Sequence, residues 1–287
     1  MPTLRQLKKS IFKRLTDFAI EESEAECESE MIAEHVTGYN TAAQFLHAGD
    51  AVKDSVIAAV ELILSKRRER LPIQYCLGSA WFMGLELDVC PGVFIPRSDT
   101  ESVVTTALAQ LQRDPSKQHR LAEIGIGSGA ISIGILKNAP NVRIEACDMS
   151  ATAVQVSSSN AVKHNVNDRL LIQLGDWQQL LPSSLDGIVS NPPYIPASER
   201  EKLQPEVGWH EPELALFGSD DDGMGFYRAL AARAKAHLTE PEGFVVVEVG
   251  DGQADNVAQI FVDNRWADVR IVLDMNGLPR TISAIRS

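Results

Sequence analysis

From residue 121 onward, the chain alternates between two kinds of segment. Short apolar runs bounded by turn-forming residues are followed by segments whose apolar residues recur at helical spacing. Continuous apolar runs are typical of parallel strands that helices cover on both faces. The pattern predicts strands at residues 121–125, 142–148, 169–174, 186–190, 243–249, 269–274 and 281–286, and helices near residues 130–138, 151–164, 225–238 and 253–264.

The last two predicted strands should pair differently from the others. Only residues 275–279 separate them, which is too short a connection for a helical crossover. They are therefore expected to run antiparallel to each other. The predicted fold class is α/β, with a seven-stranded and mostly parallel sheet.

Residues 1 to about 72 show helical periodicity only. One apolar stripe begins at Leu4, Gly38 is placed to end a helix, and a second stripe from Val52 to Leu64 runs into a basic segment. This pattern predicts a small helical bundle. The basic amphipathic start is also compatible with a transit peptide, but its apolar spacing continues into the acidic stretch that follows, which favours the bundle.

Between these regions the apolar period changes from helical to alternating. Trp81, Met83, Leu85, Leu87 and Val89 are predicted to lie on one face of a strand pair around a glycine turn. We expect a linking β-hairpin between two domains, with a helical substrate-recognition domain at 1–76, the hairpin at 77–97 and the α/β domain at 98–287. Residues 196–223 lack periodicity, which is typical of a lid or binding loop.

The first strand of the α/β region runs into a glycine-rich turn, Gly-Ile-Gly-Ser-Gly at residues 125–129. Glycines let the backbone turn sharply and approach a ligand at a helix N-terminus. A tight turn without a ligand would use the same residues. Gly125, Gly127 and Ala130 also match the dinucleotide pattern G-x-G-x-x-A, so the turn alone does not choose a cofactor.

Two further strands end in carboxylates. Asp148 follows the second strand, where it can accept hydrogen bonds from both hydroxyls of a ribose or cap the next helix. Asp176 follows the third strand, where it can accept from an adenine amino group while Trp177 lies along the ring. A turn aspartate and a packing tryptophan are the plain alternatives.

The fourth strand ends in the motif Asn191-Pro192-Pro193-Tyr194. An Asn at the carboxyl end of a buried strand presents its amide to the crevice where open α/β sheets bind ligands, and the prolines hold the backbone extended. Asn-Pro also commonly opens a turn, so this motif needs support from the others.

In combination these motifs resemble those of class I S-adenosylmethionine-dependent methyltransferases that act on planar nitrogens, which implies a Rossmann-like sheet. Residues 72–78, 95–101, 206–212 and 276–280 extend the resemblance to the glutamine methyltransferases of peptide chain release factors, the HemK/PrmC family, over nearly the whole chain. The resemblance implies S-adenosyl-L-methionine as cofactor, held by Glu123, Gly125, Ile126, Gly127, Ser128, Gly129, Asp148, Asp176, Trp177 and Asn191.

The same resemblance implies the substrate, which is the glutamine of the Gly-Gly-Gln loop of release factors. Asn191 and the Pro192 carbonyl would accept the two N–H groups of its amide, and Tyr194 would pack on the amide plane, so Asn191, Pro192 and Tyr194 are the predicted catalytic residues. Pro193 completes the predicted substrate-binding motif.

Two positions depart from the family pattern. Glu123 stands where most members have Asp, which puts its contact with the cofactor in doubt. Ser98 stands where a proline usually follows the arginine. This serine is expected to make one edge of the active site less rigid without removing activity.

Alternatives to this function remain open at this point. Amino-group methyltransferases that act on adenine in DNA or on ribosomal RNA use the Asn-Pro-Pro-Tyr motif for the same nitrogen chemistry. A methyltransferase that acts on a glutamine of a ribosomal protein is a more closely related alternative. A nicotinamide-dependent oxidoreductase would use the same glycine turn but leaves Asn191 unexplained. A cofactor-binding scaffold without catalysis is a further alternative.

Composition limits the classes of molecule that this chain is expected to bind. A net charge of −12 gives no attraction to a phosphate backbone, so direct nucleic-acid binding is not expected. No apolar run reaches the roughly 18 residues that span a bilayer. Four widely spaced cysteines, without zinc-ligand spacing, predict reduced thiols of a cytoplasmic protein and no metal site. A monomer is expected.

Overall fold

The computed structural model describes all 287 residues. They form two compact units, the first made of Met1–Gly78 with Pro205–His210, and the second of Ser79–Gln204 with Glu211–Ser287. The segment Pro205–His210, which the predicted boundaries assign to the α/β domain, therefore belongs to the helical unit. No helix combines the length and the apolar character that crossing a membrane requires.

The elements are numbered in chain order. The helices are α1 (Leu4–Asp17), α2 (Glu22–Thr37), α3 (Thr41–Leu46), α4 (Asp54–Arg68), α5 (Ile73–Leu77), α6 (Glu101–Leu111), α7 (Ala130–Asn138), α8 (Ala151–Lys163), α9 (Trp177–Leu180), α10 (Pro205–His210), α11 (Glu213–Leu216), α12 (Gly225–Arg233) and α13 (Ala254–Asp263). The strands are β1 (Ser79–Phe82), β2 (Leu85–Asp88), β3 (His119–Ile124), β4 (Val142–Asp148), β5 (Leu170–Leu174), β6 (Gly187–Ser190), β7 (Phe244–Glu248), β8 (Ala267–Leu273) and β9 (Pro279–Ile285).

The first unit is the predicted helical bundle. Thr3 and Gln6 form a capping box that starts α1, and Gly38 ends α2 in the left-handed conformation with φ 73°. Helical spacing places the apolar residues of α1 on one buried stripe, made of Leu4, Leu7, Ile11 and Leu15. Burial of this stripe against α2 and α4 holds the bundle together.

A fully buried arginine lies inside the first unit. Arg67 Nε contacts Glu28 Oε2 at 2.9 Å, and Arg67 Nη1 contacts Glu206 Oε1 on α10 at 2.7 Å. Arg70 adds a two-point contact to the same Glu206 carboxylate, at 2.6 and 2.8 Å. Burial alone would raise the pKa of Glu206, but hydrogen bonds from Arg70 and Arg67 outweigh it and lower the pKa to about 2.

Replacing Glu206 should destabilise the first unit. Glu206→Ala is expected to lower the free energy of unfolding by about 3 kcal/mol, because the Arg67 charge stays buried with one partner fewer. The carboxylate contributes above its ordinary pKa, and its contribution is lost as the pH falls toward 2. Urea unfolding measures the change, with the exposed Glu201→Ala as control. Equal unfolding curves for the two variants would contradict the assignment.

The second unit contains the main sheet, in the order β5-β4-β3-β6-β7-β9-β8. Strands β3 to β7 are parallel, and β9 runs antiparallel to both β7 and β8. The predicted seven-stranded, mostly parallel sheet is confirmed, as is the antiparallel pairing of its last two strands. One face packs against α6, α7 and α8, and the other against α12 and α13.

The sheet changes its direction of growth beside β3. From β3 the chain adds β4 and β5 on one side, and it then returns to place β6 on the other side. Open α/β sheets bind ligands at such a switch point, beyond the carboxyl ends of the strands. The ends of β3 and β6 are adjacent there, because Ile124 is the register partner of Ser190.

The predicted β-hairpin is present, but its faces differ from the prediction. Met83 and Gly84 both have positive φ and form a two-residue turn between β1 and β2. Trp81 pairs with Glu86, and its side chain is 67% exposed, whereas Leu87 is fully buried. The prediction that Trp81 shares a face with Leu85 and Leu87 is wrong, because cross-strand partners, not positions two apart through the turn, share a face.

The segment expected to be an aperiodic loop, residues 196–223, contains a 3-10 turn at Ala197–Lys202 followed by α10 and α11. These helices have only six and four residues. Two turns or fewer are too short to produce a detectable helical period in the sequence.

Candidate active site

A cavity of about 320 Å³ lies at the switch point of the sheet. Its volume is within the range of small-molecule sites. Most of the predicted site residues line it, namely Glu123, Gly125, Ile126, Gly127, Ser128, Asp148, Asp176, Trp177, Asn191 and Pro193. Gly129, Pro192 and Tyr194 do not line it.

The glycine-rich turn forms one wall of the cavity. Gly125, Gly127 and Gly129 all have positive φ, at 74°, 55° and 87°, a conformation that side chains other than glycine disfavour. A Cβ added to Gly125 or Gly127 would meet no atom within 4 Å, so open space borders the backbone there. Gly129 instead begins α7, and its Cβ would press on Ile133. The turn thus has the form of a cradle for a ligand at the start of α7.

Asp148 links β4 to the glycine turn. Its Oδ2 accepts a hydrogen bond from the Gly127 amide at 3.0 Å, and its Oδ1 accepts from the Ser150 amide at 2.8 Å. A carboxylate has about four acceptor positions, so both oxygens keep capacity for ligand hydroxyls. The alternative that Asp148 caps the next helix is wrong, because the Ser150 hydroxyl caps α8 by accepting from the Ala153 amide at 3.2 Å.

Glu123 lies at the base of the cavity and is almost completely buried. Its Oε2 accepts from both the backbone amide, at 3.0 Å, and the hydroxyl of Ser132 on α7. Burial raises the pKa of Glu123 to about 8, although the Ser132 hydrogen bonds oppose the shift. The longer reach of Glu, relative to the Asp usual in the family, is used to hold α7.

An aromatic wall faces the glycine turn. Trp177 contacts the ring of Phe226, with centroids 5.9 Å apart, and both line the cavity. Asp176 caps α9 by accepting from the Gln178 amide at 2.9 Å. A flat ring could lie against this wall while Asp176 accepts from its edge. Phe226 was not predicted as a site residue because it lies on α12, far along the chain from the strand-end motifs.

The motif Asn191 to Tyr194 begins at the end of β6. Asn191 Nδ2 donates to Thr100 Oγ1 at 3.1 Å, which leaves the side-chain oxygen Oδ1 as an open acceptor. The Pro192 carbonyl is not used by any backbone hydrogen bond of the chain. Tyr194 Oη donates to Glu248 Oε1 at 3.2 Å, so the Tyr194 side chain points toward β7.

Other residues around the motif could not be foreseen from local sequence. Glu248, on β7, is a carboxylate in an otherwise apolar strand, and that contrast was the only available signal. Gln253 Nε2 donates to the Tyr194 carbonyl at 2.9 Å. Arg97 pairs with buried Glu211, whose Oε2 also accepts from the Ile95 amide at 3.2 Å. This pair holds the segment that brings Phe94 and Pro96 to the cavity.

Two family models match this chain. One is described as the methyltransferase small domain and matches residues 86–207, and the other is the PrmC N-terminal domain, which matches residues 6–78.

Similar proteins cover most of the chain. The release factor glutamine methyltransferase of Geobacter sulfurreducens is 35% identical over 259 residues, which are 90% of this chain and 88% of that protein. The bifunctional methyltransferase of Rickettsia bellii is 37% identical over 251 residues, 79% of this chain, and the match spans only 45% of that longer protein.

A solved structure of a methyltransferase from Pyrococcus furiosus matches with a TM-score of 0.52. It covers 71% of this chain and 90% of that one at 15% identity, so the likeness concerns the fold. The Rossmann-like methyltransferase fold predicted from the sequence is confirmed.

Proposed function

This chain belongs to the release factor glutamine methyltransferase family, and from that premise we propose that it transfers a methyl group from S-adenosyl-L-methionine to the side-chain amide nitrogen of the glutamine in the Gly-Gly-Gln motif of peptide chain release factors. The observation that carries the proposal is the Asn191 amide at the end of β6, with an open oxygen beside the cavity at the switch point of the sheet.

The residues around the cavity fit the cofactor. The glycine turn at 125–129 leaves open space beside its backbone, and Asp148 keeps acceptor capacity for two ribose hydroxyls. Trp177 and Phe226 offer an aromatic wall, and Asp176 offers an acceptor to an adenine amino group. Glu123 supports this arrangement from below through α7.

The substrate amide needs activation, because its nitrogen lone pair is delocalised into the carbonyl. S-adenosyl-L-methionine supplies an electrophilic methyl group. Asn191 Oδ1 and the Pro192 carbonyl are the two acceptors that would hold the amide N–H groups and fix the nitrogen in position. The same acceptors stabilise the positive charge that develops on nitrogen, after which a proton is released to water. Pro193 and Tyr194 keep the acceptors rigid.

The decisive test is mass spectrometry of a purified release factor after incubation with this protein and S-adenosyl-L-methionine. One added methyl group on the glutamine of the Gly-Gly-Gln peptide is the expected result. Methylation of bare DNA, of ribosomal RNA or of a ribosomal protein instead would overturn the choice of substrate.

The proposal also covers the oligomeric state of the protein, the compartment in which it acts and the class of its substrate. We expect a monomer that acts in the cytoplasm, where release factors work, and that binds its protein substrate without direct contact to nucleic acid. The net charge of −12 supports the last point, since a phosphate backbone would be repelled.

The helical unit is proposed to recognise the body of the release factor. Phe45 and Leu46 at the end of α3 are 82% and 79% exposed, and a groove between α1, α2 and α3 lies beside Phe45. Adjacent exposed apolar side chains of this kind are typical of interaction sites.

Truncating this apolar pair should impair methylation of the intact release factor but not methylation of a short peptide. Phe45→Ala with Leu46→Ala is expected to raise KM for the intact release factor about 30-fold, because apolar anchor residues each contribute roughly 1 kcal/mol at interfaces. Methylation of a short Gly-Gly-Gln peptide should be unchanged. Leu62→Ala, on α4 and 60% exposed, is the matched control. Equal KM values for the pair and the control would contradict this role.

A further inference from the structure

A buried polar cluster adjoins Asn191, and of its members only Thr100 also lines the cavity. It consists of Thr100, Tyr194 and Glu248, and Thr100 and Glu248 are only 3% and 2% exposed. Glu248 is the one polar residue of β7, whose other residues are Phe and Val. Burying a carboxylate in an apolar strand is costly, so its retention in this cluster calls for a role.

The cluster reaches Asn191 through Thr100. Asn191 Nδ2 donates to Thr100 Oγ1 at 3.1 Å, and Tyr194 Oη donates to Glu248 Oε1 at 3.2 Å. The second oxygen, Glu248 Oε2, is buried without a hydrogen-bond partner. The Thr100 side chain is close enough to this carboxylate to lower its pKa, so its hydroxyl is the donor available to Glu248 Oε2.

The donor count of this cluster determines which way the Asn191 amide faces. An ionised carboxylate only accepts, and a threonine hydroxyl has a single hydrogen to donate. When Thr100 gives its hydrogen to Glu248, its oxygen can only accept from Asn191, which must then turn Nδ2 toward Thr100. The acceptor oxygen Oδ1 is thereby left for the substrate.

We propose that Glu248, acting through Thr100, is a positioning residue that fixes the Asn191 amide with its oxygen toward the substrate glutamine. A flipped amide would present NH₂ to the NH₂ of the substrate, and two donors cannot pair. This inference rests on the proposed function and explains how one amide selects another amide in the correct orientation.

A second set of contacts ties the same motif to β7. Besides the Tyr194 hydroxyl bond to Glu248, Gln253 Nε2 donates to the Tyr194 carbonyl at 2.9 Å, and Gln253 Oε1 accepts from the Gly250 amide at 3.1 Å. A Cβ on Gly250 would meet Tyr194 Cδ2 at 2.9 Å, so the backbone packs closely on the ring. The Tyr194 end of the segment is therefore held from β7 and the turn that follows it.

Burial is the main reason that Glu248 titrates near neutrality. Burial raises the pKa of Glu248 to about 7, hydrogen bonds from Thr100 and Tyr194 oppose the rise, Asp99 adds to it, and Arg280 opposes it. Arg280 Nε itself lies 3.4 Å from Asp99 and 3.8 Å from Asp274. Tyr227 faces the same residue and donates to the Glu248 main-chain carbonyl at 2.8 Å.

Protonation of Glu248 would release the orientation of Asn191. A neutral carboxylic acid can donate to Thr100, and the hydroxyl hydrogen is then free to point at Asn191. Because the ionised form is the one that orients the amide, kcat should be full above about pH 7 and fall as the pH decreases through that value.

The test uses the full-length protein and a Gly-Gly-Gln peptide. Glu248→Gln, which keeps the shape but can donate to Thr100, is expected to lower kcat by about 100-fold, the cost of a misplaced reacting group. Its affinity for S-adenosyl-L-methionine should stay within about twofold, since Glu248 does not line the cavity. In this variant kcat should no longer fall as the pH decreases through about 7. Glu242→Gln, the same change at an exposed site before β7, is the matched control.

Thr100 offers an independent pair of variants. Thr100→Val removes the hydroxyl and should lower kcat as Glu248→Gln does, whereas Thr100→Ser keeps the hydroxyl and should retain most of the activity. If Glu248→Gln fails to fold, the activities of Thr100→Val and Thr100→Ser test the positioning role instead.

The outcomes separate the two claims. Unchanged kcat and pH profile in Glu248→Gln, or equal activity of the Val and Ser variants, would overturn the positioning role while leaving the proposed function intact. A wild-type protein that methylates no Gly-Gly-Gln peptide would instead overturn the proposed function.

Discussion

Asn191→Ala is expected to reduce kcat for a Gly-Gly-Gln peptide by about 1000-fold, while S-adenosyl-L-methionine still binds with nearly normal affinity. The substitution removes the acceptor that positions the substrate nitrogen and stabilises its developing charge, and one such group contributes roughly 2.7–4 kcal/mol. The Pro192 carbonyl remains, but a single acceptor leaves the amide free to rotate. Single-turnover kinetics with a radiolabelled methyl donor measures kcat, and calorimetry measures cofactor affinity.

The matched control for this variant is Asn167→Ala, which removes an amide from an exposed position between α8 and β5. It should leave both quantities unchanged. Turnover of Asn191→Ala within a few-fold of wild type would contradict the mechanism, which assigns the positioning of the substrate nitrogen to this amide.

Asp148→Ala is expected to weaken S-adenosyl-L-methionine binding by about 100-fold. The carboxylate would lose charge-assisted hydrogen bonds to two ribose hydroxyls, which together contribute roughly 3 kcal/mol. The glycine turn also loses a support, since Asp148 Oδ2 accepts from the Gly127 amide at 3.0 Å. In contrast to Asn191→Ala, the defect should be overcome largely by raising the cofactor concentration.

Titration calorimetry against S-adenosyl-L-methionine tests this prediction, with Asp168→Ala at an exposed turn as control. A thermal melt without ligand shows whether the variant stays folded, because Asp148 also accepts from the amide of Ser150, the N-cap residue of α8. An unchanged Kd would remove Asp148 from the cofactor site.

The sheet was predictable because its strands are covered on both faces. Strands such as β7, with Phe and Val at nearly every position, have a continuous apolar signature. Parallel strands end at the same edge of a sheet, so polar residues that follow them, such as Asp148 and Asn191, were predicted to meet. The structure places both on one cavity.

The position of Trp81 shows where pattern reasoning fails locally. Alternation through residues 81 to 89 suggested one continuous face, but the two-residue turn at Met83-Gly84 sets a register in which Trp81 pairs with Glu86. Turn geometry decides register, and a change of one residue moves a side chain to the opposite face.

The sequence by itself determined the fold class and most of the predicted residues that line the cavity, because these depend on short-range periodicity and on the common edge of parallel strands. Only the tertiary structure decided that Thr100 and Glu248, at positions 91 before and 57 after Asn191, stand behind its amide, and that Glu206 belongs with Arg67. Hydrogen bonds between side chains so distant in the chain depend on how the elements pack, and local sequence carries no signal of that packing.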